Sequence, residues 1–140
     1  MNYVIRKAHF NAAHRLHNPD KSDQWNREIY GKCNHPNWHG HNYLLEVVVA
    51  GNPDPETGYV IDLGILQALI EQEVIEPCDH KNLNTDVSYL SGIIPTSENL
   101  ARVFYERLRD PVEAAAADGA RLHAVRLHET NRNSAEYRPD

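Results

Sequence analysis

The chain has 140 residues, 41% of them hydrophobic and 24% charged, with a formal net charge of -6. These values exclude a disordered or fibrous chain, and no apolar run approaches the roughly 18 residues of a membrane span. The acidic balance argues against non-specific nucleic-acid binding, which needs clustered Lys and Arg, but permits an anionic substrate held in a local basic pocket.

The length suits one domain over residues 1–140, large enough to bury a core. The first ten residues lack the apolar stretch and small-residue cleavage site of a secretory signal, so the expected location is the cytoplasm. Cys33 and Cys78 are then expected as reduced thiols, each to be explained singly.

Residues 3–16 read as a strand. Val4, Ala8, Phe10, Ala12, His14 and Leu16 share one side of a period-2 element, with Arg6 as the outlier, so His14 is expected to point into the core. Residues 17–38 read as a long irregular excursion rich in Asn, Asp, Pro and Ser. A second strand is expected over 39–50, where Leu44, Leu45, Val47, Val48 and Val49 are strong β formers. A turn at residues 52–58 leads to a short extended piece, Tyr59-Val60-Ile61. Asp62 caps a predicted helix running to Glu76, with Pro77 as its stop. Pro95-Thr96-Ser97-Glu98 opens another helix that turns Leu100, Val103, Phe104 and Leu108 inward and ends near Gly119, with Pro111 as a kink or break. Strands over 121–130 and 135–138 complete the order ββααββ. Strands at both ends with helices between them predict an α+β fold, an antiparallel sheet with two helices on one face.

The strongest local chemical signal lies between Gly31 and Tyr43. His39 and His41, two residues apart at a strand entrance, present their side chains on one face. With His14 from the inward side of another strand they make three neutral nitrogen ligands. Three protein ligands with an open position describe a catalytic zinc site. An unpaired buried imidazole is costly, which strengthens the metal reading for His14.

Cys33 admits two readings: a fourth ligand closing a structural site, or a thiolate near the metal acting as base or nucleophile. Cys78, at a helix end, reads as a buried small hydrophobe. Asp79 beside His80 has the pattern of a carboxylate that orients an imidazole for proton transfer. Glu129 shares strand parity with Val125 and Leu127. It is an inward carboxylate that needs either a guanidine-like ligand edge or an Arg partner. Glu98 fits the acidic first turn of a helix, and Thr96 and Ser97 could donate to a ligand.

Segments 10–16 (Phe-Asn-Ala-Ala-His-Arg-Leu), 33–43, 78–83 (Cys-Asp-His-Lys-Asn-Leu), 95–99 (Pro-Thr-Ser-Glu-Asn) and 128–130 (His-Glu-Thr) resemble, in order, the 6-pyruvoyl-tetrahydropterin synthase family. The resemblance implies a T-fold, in which the sheets of several subunits close a barrel with helices outside, commonly as a homohexamer. It implies Zn2+ on His14, His39 and His41, with Cys33 as the proton-abstracting thiolate and Asp79 with His80 as the proton relay. Glu129 would anchor the pterin, with Thr96, Ser97 and Glu98 nearby, and the site would be built between subunits. The implied reaction converts 7,8-dihydroneopterin triphosphate to 6-pyruvoyl-tetrahydropterin and triphosphate, with neither nucleic acid nor membrane as partner.

Two related branches act on similar pterins. One, in queuosine biosynthesis, makes 6-carboxy-tetrahydropterin from the same substrate and shows a shorter gap than the five residues between Cys33 and His39 here. The other replaces the cysteine by glutamate. His35 and Trp38 stand where the family pattern has Asn and Gly. Outside the family, His39-Gly40-His41 followed by Glu46 and Gly51 faintly resembles the first metal motif of cupins, a binding-module alternative that lacks the later histidine segment.

Overall fold

The computed structural model describes residues 1–140. Two long strands, β1 (Asn2–His14) and β2 (His39–Gly51), pair antiparallel along their whole length. β2 also pairs antiparallel with β4 (Arg121–His128), which pairs with β5 (Ser134–Tyr137). A two-residue strand, β3 (Lys81–Asn82), adds a parallel edge to β1, giving the order β3-β1-β2-β4-β5. The sheet is therefore antiparallel except at this edge. Its short parallel pairing had no repeating pattern in sequence.

Period-2 alternation sorts the side chains of the sheet. Phe10, Ala12, Tyr43, Leu45, Val47, Val49, Leu122, Val125 and Leu127 are buried on one face. Helix α4 (Ser97–Ala115) lies against that face and buries Leu100, Val103, Phe104 and Leu108, as its helical spacing predicts, along with Val112. Phe10 stacks on Tyr43 with centroids 4.8 Å apart and meets Phe104 edge-on at 6.0 Å. Each such buried aromatic contributes about 1.5–3 kcal/mol through area removed from water. On the other face Tyr3, Ile5, Lys7, His9 and Asn11 of β1 are exposed.

The helices depart from the sequence expectation in three places. Within the excursion at 17–38 a helix forms, α1 (Asp23–Tyr30), followed by a 3-10 turn at Gly31–Asn34. Ser22 caps α1 by accepting from Trp25 N–H, and Gly31 closes it with φ 57°. Buried Asn26 holds the segment through polar bonds. Its Oδ1 accepts from Asn18 N–H at 2.7 Å, and its Nδ2 donates to the Asn18 and Ser22 carbonyls at 2.9 Å.

Second, the helix begun at Asp62 is not stopped at Pro77. α2 (Leu63–Ile70) widens into a π-helical turn at Glu71–Ile75 and then tightens into α3 (Glu76–Cys78). Pro77 follows directly on the widened turn, where Glu76 N–H donates to the Glu71 carbonyl, and the chain turns away at Asp79. Third, α4 runs through Pro111 and ends at Ala115, short of Gly119. Residues 59–61 form a bend rather than a strand, and the expected strand 121–130 ends at His128 because Thr130 Oγ1 accepts from the Arg132 and Asn133 amides to make a turn. No helix is long and apolar enough to cross a membrane.

Candidate active site

The register of β1 on β2 sets the centre. His14 is directly opposite His39, and Ala12 is opposite His41. All three imidazoles fall on the inward face, one ligand atom from each lying within 4.8 Å of the others. Ring centroids are 4.6 Å apart for His14 and His39, 5.1 Å for His14 and His41, and 5.0 Å for His39 and His41.

His14 is 1% exposed, and its Nδ1 lies 2.9 Å from the Pro95 carbonyl oxygen. A carbonyl only accepts, so Nδ1 carries the proton and Nε2 presents its lone pair. Burial pushes the His14 pKa down to about 4, and neighbouring His39 and His41 push the same way. The ring is therefore neutral near pH 7, the state a metal requires. Burial and the neighbouring His41 also lower the pKa of His39. His39 Nδ1 and His41 Nε2 are buried and have no hydrogen-bond partner. Unpaired buried nitrogens cost free energy unless something else binds them. Three converging imidazoles, two of them with orphaned nitrogens, fit a nitrogen-ligated divalent metal such as zinc, with room left for a further ligand. Cys33 is not part of this cluster, which removes the four-ligand structural reading.

Glu129 stands just past the end of β4, with its side chain 22% exposed. Its Oε1 is 3.5 Å from His41 Nε2, too poorly aligned for a hydrogen bond, and its Oε2 accepts from Ser97 Oγ at 3.2 Å. The only ion partner is His41, so the alternative of a structural pair with Arg does not hold. Thr96 caps α4 by accepting from Asn99 N–H at 3.2 Å, and Glu98 is exposed in the first turn. Ser97 thus joins Glu129. Thr96 shapes the helix start, and the side-chain polar partners of Glu129 are Ser97 and His41, not Glu98.

Cys33 is half-buried in the 3-10 turn, and its carbonyl accepts from Leu16 N–H at 2.8 Å, tying the turn to the end of β1. Asp79 and His80 lie at the β3 edge. Asp79 Oδ1 accepts from Asn11 N–H at 2.9 Å and Oδ2 pairs with His80 Nδ1 at 2.9 Å. The Asn11 amide, with help from His80, holds the Asp79 pKa below the usual carboxylate range. His80 is 75% exposed, has φ 60° and lines an open cavity of about 530 Å3 with Asn11, Gly40, His41 and Asn42. The pair is oriented as a proton carrier but stands outside the three-histidine cluster. Cys78 is fully buried against Tyr89 Oη, and burial raises its thiol pKa to about 11, as a packing role requires.

Two contributors are not singled out by the sequence reading: the Pro95 carbonyl, a backbone acceptor with no side-chain signature, and Tyr43, whose hydroxyl lies 3.4 Å and 3.5 Å from the two His14 nitrogens. Strand parity alone places Tyr43 beside His41, and that parity was the available clue.

Fold and site together define an α+β protein with a cluster of three converging histidines that could hold a metal ion and a carboxylate beside it. The family model described as 6-pyruvoyl tetrahydropterin synthase matches residues 3–140. The chain is 43% identical to the 6-pyruvoyl tetrahydrobiopterin synthase of Poecilia reticulata, covering 97% of this chain and 89% of the relative. It is 38% identical to that of Homo sapiens, covering 96% and 90%. The solved 6-pyruvoyl tetrahydropterin synthase of Caenorhabditis elegans superposes with a TM-score of 0.89 at 37% identity, covering 99% of this chain and 96% of that one. The chain belongs to the 6-pyruvoyl tetrahydropterin synthase family.

Proposed function

We propose that this protein is a zinc-dependent lyase that converts 7,8-dihydroneopterin triphosphate to 6-pyruvoyl-tetrahydropterin with release of triphosphate. The observation that carries this reading is the placement of Glu129. A carboxylate held by Ser97 stands 3.5 Å from a nitrogen of the three-histidine cluster. A pterin presents a guanidine-like edge, and a carboxylate receives such an edge through paired charge-assisted hydrogen bonds. A ring anchored at Glu129 leaves its side chain close to His41.

His14, His39 and His41 would hold the zinc. When bound, the ion supplies Lewis-acid polarisation of the side-chain hydroxyls and so acidifies the neighbouring C–H. The Cys33 thiolate takes that proton, and His80, steadied by Asp79, gives and receives protons in the tautomerisations that follow. Triphosphate leaves with its bonding electron pair. Oxidation of the side chain balances reduction of the ring, so no redox cofactor is consumed. His80 is largely exposed in the single chain, which supports a site completed by a neighbouring subunit. On this reading the exposed face of β1 lines the interior of a T-fold barrel in a cytoplasmic homohexamer.

The test is incubation of zinc-loaded protein with 7,8-dihydroneopterin triphosphate and product identification by mass spectrometry. A pyruvoyl pterin with triphosphate is expected. A carboxy pterin with acetaldehyde would replace this reading by the queuosine-type reaction, and absence of turnover with zinc bound would overturn both.

A further inference from the structure

A second cavity, also of about 530 Å3, has no hydrophobic residue in its wall. Arg15, His17, Arg27, Lys32 and His35 line it, with Asp23 as the one carboxylate. Three fixed cations at one cavity stand out in a chain of net charge -6. The Lys and Arg members of the ion pairs are Lys7, Arg102, Arg107, Arg109, Arg126 and Arg138, so none of the cavity's cations is neutralised by a carboxylate within 4.0 Å. The Nε of Arg15 is buried and has no partner, although its Nη2 donates to the Asn34 carbonyl at 2.9 Å.

The two imidazoles add donors. His17 Nδ1 faces Asn34 Nδ2 at 2.9 Å and Arg15 Nη2 at 3.2 Å, both donors, so it accepts and the proton sits on Nε2. His35 Nδ1 accepts from the Asn37 amide at 3.1 Å, which likewise leaves Nε2–H as a donor. The wall is thus rich in donors and guanidinium and ammonium charge. That chemistry suits a multidentate oxyanion whose oxygens accept from several sides at once.

The cavity also adjoins the reaction machinery along the chain. Arg15 follows His14, Lys32 precedes Cys33, and the Leu16 to Cys33 backbone bond holds the two segments together. We infer that this cavity is a polyphosphate site that seats the triphosphate tail of the substrate, an inference that rests on the function proposed above. Arg27 on α1 and Lys32 on the following turn bind the outer phosphates, and Arg15 binds nearest the reacting carbon. His35, which replaces the Asn of the family pattern, adds one more donor in this chain.

The test pairs two ligands. Inorganic tripolyphosphate is titrated calorimetrically into wild-type protein, Arg27→Gln and Arg27→Lys, and the affinity for unphosphorylated 7,8-dihydroneopterin is measured alongside. Arg27 is exposed on α1, so the substitutions spare the core. Arg27→Gln is expected to weaken tripolyphosphate roughly tenfold and to raise KM for the pterin triphosphate by a similar factor. It should leave dihydroneopterin affinity unchanged, and Arg27→Lys should recover most of the loss. Equal tripolyphosphate binding by wild type and Arg27→Gln, or equal weakening of both ligands, overturns the inference. Arg27-dependent tripolyphosphate binding without turnover of the pterin triphosphate would instead keep the site and remove the proposed function.

Discussion

His14 Nδ1 and the carbonyl oxygen of Pro95 meet at 2.9 Å although 81 residues separate them in the chain. The bond ties the end of β1 to the start of α4. It fixes the tautomer of the His14 ring, one of the three clustered imidazoles, through a backbone acceptor that no side-chain substitution removes. Two residues further on, Ser97 donates to Glu129. The group that orients His14 and the group that orients the Glu129 carboxylate therefore come from one short segment, Pro95 to Ser97. Any shift of that segment moves both halves of the site together.

Replacement of His14 by Ala should abolish stoichiometric zinc. Two imidazoles remain, and neither orphaned nitrogen of His39 or His41 gains a partner. Metal analysis after dialysis is expected to fall from about one ion per chain to near zero. Retention of full zinc occupancy by His14→Ala would move the metal centre elsewhere.

The pH dependence of the metal-free protein follows from the burial of His14. Its folded pKa of about 4 lies below the unfolded value near 6.5. Between those values the unfolded chain binds a proton that the folded chain does not. Stability is therefore full above roughly pH 6.5 and falls as pH drops towards 4. His14 alone should account for about 2–3 kcal/mol lost between pH 7 and pH 4.5. Urea unfolding of the apo protein at the two pH values, compared with His14→Asn, isolates this share from the carboxylates. An equal pH response in the variant would mean that His14 titrates normally.

Much of this centre is legible in the sequence because strands obey a period of two. His14 falls in phase with Phe10 and Ala12, His39 and His41 are in phase with Tyr43, and Glu129 is in phase with Leu127. What resisted reading follows other rules. α1 is held by Asn26 and its carbonyl partners rather than by an apolar stripe, so hydrophobic periodicity missed it, although the Ser22 cap and Gly31 mark its ends. β3 is too short to show a pattern. The π-helical turn that lets the chain pass Pro77 depends on hydrogen bonding, which composition does not encode. Trp38 has φ 69°, the left-handed region where the family pattern has Gly, and the Arg15 guanidinium lies 5.7 Å from its ring centre.

Glu129→Gln tests the proposed pterin anchor apart from the proposed metal. The amide keeps the shape but loses the charge and presents an NH2 where the pterin edge needs an acceptor. A drop in kcat/KM of roughly 10- to 100-fold is expected, with zinc content unchanged. Ser97→Ala, which removes one donor from the same carboxylate, should cost less. If Glu129→Gln loses zinc and keeps its substrate affinity, Glu129 belongs to the metal site and not to the pterin.

Cys33 and His80 make the sharpest test of how the site is assembled. Cys33→Ala should retain zinc, because the thiol lies outside the three-histidine cluster, and should lose turnover by roughly 10²- to 10⁴-fold. His80→Ala should also be inactive with full zinc, since His80 is largely exposed and is not one of the three clustered imidazoles. If the thiolate and the Asp79–His80 pair serve one site from two subunits, unfolding and refolding the two dead variants together creates sites that carry an intact copy of each. Random mixing in a symmetric oligomer makes these about a quarter of all sites, and turnover should return to that level. Persistent inactivity of mixed oligomers, verified by mass, would place Cys33 and His80 in the same chain's site and require α1 and the 3-10 turn to move before chemistry begins.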